Sequence, residues 1–196
     1  MIKNIIKLVF LGVAAFAVLV FITAEKPTEM NASQGLSEQN LTLSSLPNTF
    51  ELVGKDQIVN KTELFKENQE TLLIVGNHDS LAVVKDLPRF FDISLPYVMV
   101  ANISSAPWFV KKMFIPGKLE ELNEHSNIPM IYDFEGNMVN ALGVTNNAKT
   151  AFSAYKINID GTITKLLEGE VKEGALDGTM SKEEKKEALQ PLVEML

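Results

Sequence analysis

The stretch Thr71-Leu-Leu-Ile-Val-Gly-Asn-His-Asp-Ser80 sets the strongest constraint on how this chain folds. Leu72 to Val75 is an unbroken apolar run of strand length, suited to a strand buried on both faces. Gly76 and Asn77 interrupt the run. Asp79 or Ser80 then stands where a helix N-cap belongs, ahead of the apolar-periodic segment Leu81-Ala-Val-Val-Lys-Asp-Leu87. A buried strand that turns directly into a helix is an α/β signature, and chemistry in such folds gathers at that turn. Asn77, His78, Asp79 and Ser80 are therefore the candidate ligand-binding residues.

The turn holds no cysteine, and neither does the rest of the 196-residue chain. That excludes disulfides, thiolate metal sites, thiol catalysis and cysteine-linked lipidation. With 46% hydrophobic residues the chain can build one ordinary core plus extra segments. The formal charge is −7 and Arg89 is the sole arginine, so no nucleic-acid partner is expected.

Met1-Ile-Lys-Asn-Ile-Ile-Lys7 is a basic lead-in, and from Leu8 to Ala24 every residue is apolar or small. Residues 1–24 read as a signal anchor or a signal peptide cut after Ala24. Lys3 and Lys7 would stay cytoplasmic under the positive-inside rule, and the long run without an Ala-x-Ala favours the anchor. The expected location is the bacterial inner membrane with the domain in the periplasm, or a soluble periplasmic form after cleavage. The expected partners are the membrane, through this helix, and an envelope protein.

Residues 25–47 are rich in Ser, Asn, Gln, Thr and Glu and read as a flexible polar linker. Glu29-Met-Asn-Ala-Ser33 and Glu38-Gln-Asn-Leu-Thr42 both fit Asn-x-Ser/Thr with an acidic residue two places earlier. That form resembles the acceptor of N-linked glycosylation in some bacteria, making Asn31 and Asn40 candidate glycosylation sites. Asn60 and Asn102 head plain sequons.

Residues 48–196 read as one domain. A hairpin turns at Gly54-Lys-Asp-Gln57, and a short helix over 61–67 leads into the central strand. The helix after Ser80 is expected to stop near Pro88 or to run on as a turn through Phe91. Strand 95–101 completes a βαβ unit. Trp108-Phe-Val-Lys-Lys-Met-Phe114 reads as a short helix closed by Ile115-Pro-Gly117, with a second helix over 118–125. Strand 128–133 precedes a helical turn ending at Gly143. Asp160-Gly161 joins strands 150–158 and 162–167 in a tight hairpin. Ser181-Lys-Glu-Glu184 is a capping box that opens a last helix with Leu189, Leu192, Val193 and Leu196 on one face.

This order is thioredoxin-like, a three-layer α/β/α sandwich around a mixed central sheet. Pro129-Met-Ile-Tyr-Asp-Phe-Glu-Gly-Asn-Met-Val-Asn-Ala-Leu-Gly-Val144 resembles the strand, Asp, turn glycine and short-helix element of peroxiredoxin (AhpC/TSA) domains. Val100-Ala-Asn-Ile103, the Trp108 segment and Ser181-Lys-Glu-Glu184 resemble the YtfJ family of exported, cysteine-poor thioredoxin-like proteins. The resemblance spans roughly residues 50–196. It would imply a redox cysteine near His78 to Leu81 and a cis-proline before the strand at Ala151, yet Asn146-Asn-Ala-Lys-Thr150 stands there. No catalytic residue and no cofactor therefore carry over.

Consecutive His78-Asp79-Ser80 cannot converge as a hydrolase triad, whose members come from separate segments. His78 and His125 with nearby carboxylates show no metal-ligand spacing. Met99, Met113, Met130 and Met138 lie in apolar settings that suit core filling better than copper binding. Asp133, Glu135 and Asp160 adjoin turn glycines and read as turn formers. Trp108, Phe109, Met113 and Phe114 offer a possible exposed apolar contact. The leading expectation is a binding or accessory module without redox chemistry. Its rivals are a thiol-independent enzyme around His78 and a small-ligand binder between residues 76–80 and 146–150.

Overall fold

The computed structural model describes residues 41–196. The signal or anchor segment and the candidate acceptors Asn31 and Asn40 lie outside these residues. Five strands form the central sheet in the order β5-β4-β3-β6-β7. They are β3 (Thr71–Gly76), β4 (Tyr97–Asn102), β5 (Met130–Asp133), β6 (Ala151–Ile157) and β7 (Ile163–Glu170). β3 runs parallel to β4 and β4 parallel to β5, while β6 is antiparallel to both β3 and β7. This mixed order, with a parallel βαβ half joined to an antiparallel hairpin, is the thioredoxin-like arrangement.

Side-chain alternation along the strands divides the interior into two clusters. Leu72, Ile74, Met99 and Ala101 face one side, while Leu73, Val75, Val98 and Val100 face the other. The first side is covered by α2 (His78–Val84), α5 (Ile115–Asn123) and α7 (Lys182–Val193), through Leu81, Leu119, Leu189 and Leu192. The second is covered by α6 (Asn137–Ala141) through Met138 and Val139, and by a separate hairpin through Phe50 and Val59. That hairpin pairs β1 (Thr49–Glu51) with β2 (Ile58–Asn60), followed by α1 (Lys61–Leu64). Beyond β1 the chain touches the edge of the main sheet, where Val53 N–H donates to the Met130 carbonyl at 2.8 Å. All six residues of β3 are buried, as its apolar run demands.

Several boundaries differ from the sequence reading. Part of the segment assigned to the linker packs on the domain. Leu46 is buried, and the amide of Leu43 and carbonyl of Leu41 bond the β7 hairpin at Gly161 and Ile163. α2 ends at Val84, and a separate short helix, α3 (Leu87–Phe90), carries the chain on to its cap at Phe91, in line with the expected continuation through Phe91. Ile115-Pro-Gly117 opens α5 instead of closing α4 (Trp108–Met113), because proline lacks only an N–H that a helix's first turn leaves unpaired. Leu196 is exposed, outside the buried face of α7 formed by Leu189 and Leu192.

Asp133 and Asp160 act as turn and cap residues. Asp133 accepts the N–H groups of Met138 and Val139 at the start of α6, and Asp160 accepts from the Thr162 amide and hydroxyl. Burial pushes the Asp133 carboxyl up, with those backbone donors opposing the shift. The capping box of α7 is also formed, Ser181 N–H to Glu184 at 2.7 Å and Glu184 N–H to the Ser181 hydroxyl at 3.1 Å.

A polar cluster fixes α7 against α2 and α3. Asp86 is buried and meets Lys185 at 2.9 Å, Arg89 at 3.1 Å and Lys85 at 3.3 Å. Burial alone would raise the Asp86 carboxyl, but hydrogen bonds from Lys185 and Arg89 outweigh it and the net pKa is lowered. A native pKa below the unfolded one stabilises the fold above the unfolded carboxylate range. That contribution is lost as pH falls through the native pKa. Asp86→Asn is expected to cost about 2 kcal/mol at neutral pH. Urea unfolding at neutral and acidic pH checks this, the gap from the parent chain narrowing on acidification; a pH-independent gap would contradict it.

Candidate functional site

The C-terminal ends of β3 and β4 meet the first turn of α2 and the loop before β6. This corner holds residues 76–80, the candidate site of the sequence reading. Gly76 is required there because a Cβ would lie 2.9 Å from the Ser80 hydroxyl and 3.0 Å from Leu81. The helix begins earlier than the sequence suggested. Asn77 is the N-cap, so Asp79 and Ser80 sit in the first turn and not at the cap.

This displacement gives each residue a different partner. The Asn77 side-chain amide donates to the Ala148 carbonyl at 2.7 Å, bridging to the loop before β6. The Ser80 hydroxyl accepts the Asn77 N–H at 2.9 Å, with the Ala151 carbonyl 2.7 Å away as its acceptor. Ser80 is fully buried, and in that position it is a structural strut, not a nucleophile. Asp79 is buried too, and its two oxygens accept the N–H groups of Gly174 at 3.0 Å and Leu176 at 3.1 Å. Those amides belong to a 3₁₀ turn, Ala175–Asp177, and its approach nearly a hundred residues away along the chain.

The helix N-terminus is closed in the same way. The N–H groups of Asp79 and Ser80 point at the Lys149 carbonyl, at 2.9 Å and 3.3 Å. Free amides at this place could stabilise an anion such as a thiolate. Here the loop occupying the expected cis-proline position supplies a carbonyl instead, so the anion-stabilising site is filled by the protein itself. No cis peptide occurs among the described residues.

Of the four candidate ligand residues, only His78 presents its side chain to solvent, at 53% exposure. Its Nδ1 lies 3.9 Å from the Asp79 carboxylate. His78 and Asn77 border a cleft of about 380 Å³, the lower end of the size range of small-molecule sites. Its floor and far wall are apolar, built from Leu81, Ile103, Val110, Phe114, Leu119 and Leu122. Its rim carries Asn102, Asn147, Lys118 and Lys149. Asn102 donates to the Asn147 oxygen at 2.8 Å, which leaves the Asn147 NH₂ pointing away from that bond.

The cleft-lining residues of α4 and α5 were not legible as a site. The exposed apolar character of the Trp108 segment was the available signal: Trp108 is 55%, Met113 73% and Phe114 58% exposed. His125 is exposed and away from His78's cleft, and no group of three potential metal ligands occurs among the described residues. Asn102 is buried and cannot accept a glycan in the folded domain, whereas Asn60 caps α1.

No family model matches this sequence, and no curated protein matches it. Among solved structures, the chain is similar to the pneumococcal exposed lipoprotein thioredoxin of Streptococcus pneumoniae. Identity is 13%, with 76% of this chain and 99% of that chain covered and a TM-score of 0.43. An uncharacterised thioredoxin-like protein of Porphyromonas gingivalis gives 11% identity, 76% and 94% coverage and a TM-score of 0.42. Thioredoxin of Wuchereria bancrofti gives 10% identity, 76% and 95% coverage and 0.36.

Asp79→Ala should destabilise the domain by about 3 kcal/mol, since two hydrogen bonds to a buried charge are lost and two amides are orphaned. His78→Ala should change stability by no more than about 0.5 kcal/mol, as for a half-exposed side chain whose one charged neighbour, Asp79, is 3.9 Å away. Denaturant unfolding of both variants checks the contrast; equal effects would contradict the assignment of strut and rim.

Proposed function

We propose that this chain is an exported, membrane-tethered accessory module of the bacterial envelope, binding a ligand or partner at the cleft beside α2 without thiol chemistry. The observation that carries the reading is the Lys149 carbonyl seated on the Asp79 and Ser80 amides. With no cysteine in the chain, the corner that would hold a redox centre is a closed hydrogen-bonded knot. What lies open beside it is an apolar cleft with polar groups on its rim. Export and tethering rest on the charge-free run from Leu8 to Ala24 behind Lys3 and Lys7. The resemblance of Val100-Ala-Asn-Ile103 and the Trp108 segment to the YtfJ family supports the same reading.

A thiol-independent enzyme is the second reading. It is favoured by His78, whose imidazole stands on the cleft rim beside a carboxylate. Against it, both Asp79 oxygens are engaged by backbone amides and Ser80 is enclosed.

The full chain should show no insulin reduction and no peroxide turnover, and should fractionate with membranes while its domain is protease-accessible in spheroplasts. Thiol-disulfide activity, or a protease-protected cytosolic domain, would overturn the proposal. His78→Ala separates the two readings: loss of a host phenotype together with loss of turnover of any substrate would favour the enzyme.

A further inference from the structure

We infer that the cleft beside α2 is a seat for a small amphiphilic anion, a straight-chain monocarboxylate whose tail lies between α2, α4 and α5. This rests on the reading of the cleft as a binding site and names its ligand class. Two independent features of the lining lead to it.

The first is charge. In a chain with 25 acidic and 18 basic residues, the lining of this cleft contains Lys118, Lys149 and His78 and not one carboxylate. Neighbouring clefts mix the two signs: one of about 560 Å³ on the other side of α5 is bordered by Glu120, Glu121 and Glu124 with Lys55, and another of about 440 Å³ by Asp86 and Glu121 with Lys85, Arg89 and His125. Lys149 is already paired with Glu173, so its charge is largely spent. Lys118 also borders a cleft that carries Glu121 and Asp177, but it enters no ion pair among the described residues and is the cation left for a ligand. The Asn147 NH₂ adds neutral donors, because its oxygen is committed to Asn102. A rim of donors without acceptor carboxylates suits an anionic head.

The second is the wall. Below that rim the cleft is lined by Leu81, Ile103, Val110, Leu119 and Leu122, which offer an alkyl chain only apolar contact. The head is not placed at the amides of α2, which the Lys149 carbonyl fills. The anion therefore depends on side chains along the α5 and Asn147 rim. Phe114 lines the cleft at the end of α4, and Trp108 and Met113 are exposed on the same helix as the lining residue Val110.

The test is titration of the full chain with hexanoate, octanoate and decanoate, below their micelle concentrations, against alcohols of the same lengths. Trp108 is the only tryptophan and shares α4 with the lining residue Val110, so its emission reports ligand-linked change at that helix, and calorimetry gives the affinity. Affinity should rise about fourfold per added methylene until the cleft is full. The carboxylate should bind more tightly than its alcohol. Lys118→Gln, on an exposed side chain, should erase that preference while leaving the chain-length trend and the unfolding temperature unchanged. Ala106→Phe, which fills the cleft from its lining, should abolish the Trp108 response, and any binding at the N-terminal apolar segment would be common to both chains. Equal binding of acid and alcohol, a flat length series, or a response surviving Ala106→Phe would each overturn the inference. If these fail while the chain remains redox-inert and membrane-bound, the ligand class falls and the accessory-module reading stands.

Discussion

The buried carboxylate of Asp79 and the Lys149 carbonyl together fix the corner on which the rest of the molecule depends. One holds the 3₁₀ turn at Ala175–Asp177, and the other binds the first turn of α2 to the loop entering β6. Three segments remote in sequence thus meet at the end of β3. Their meeting positions α2 against the sheet and leaves the cleft beside it open. A charge buried this deeply is tolerable only when its lone pairs are matched, and two backbone amides match it.

The same interactions close the first turn of α2. A helix N-terminus at the end of a central strand is normally a place of unsatisfied N–H groups. A redox protein uses that unsatisfied potential on a sulfur anion. Here a backbone carbonyl meets it, and Asn77 and Ser80 complete the network with Ala148 and Ala151. The open surface lies beside this corner, at the wall formed by α4 and α5.

The order of elements was legible in the sequence because it is written in local signals. The apolar run Leu72 to Val75, the Asp160-Gly161 turn and the Ser181 to Glu184 capping box each specify their structure within a few residues. The site was not legible to the same degree. Asp79 finds its partners at Gly174 and Leu176, and a backbone carbonyl such as that of Lys149 carries no side-chain signature. Its role emerges only when the sheet brings residues 76–80 and 146–150 together. The start of α5 was misplaced because Pro116 and Gly117 read as a stop, although a helix's first turn accepts both. Leu46 was hidden inside a polar stretch whose composition alone suggested a linker.

The central claim is that the first turn of α2 is a closed structural element and not an available binding terminus. Native-state hydrogen exchange of the Asp79 and Ser80 amides tests it most directly, because both donate to Lys149. The account predicts that they exchange only with the slowest class, alongside the amides of β3. Fast exchange of these two amides by local opening, with β3 still protected, would contradict it.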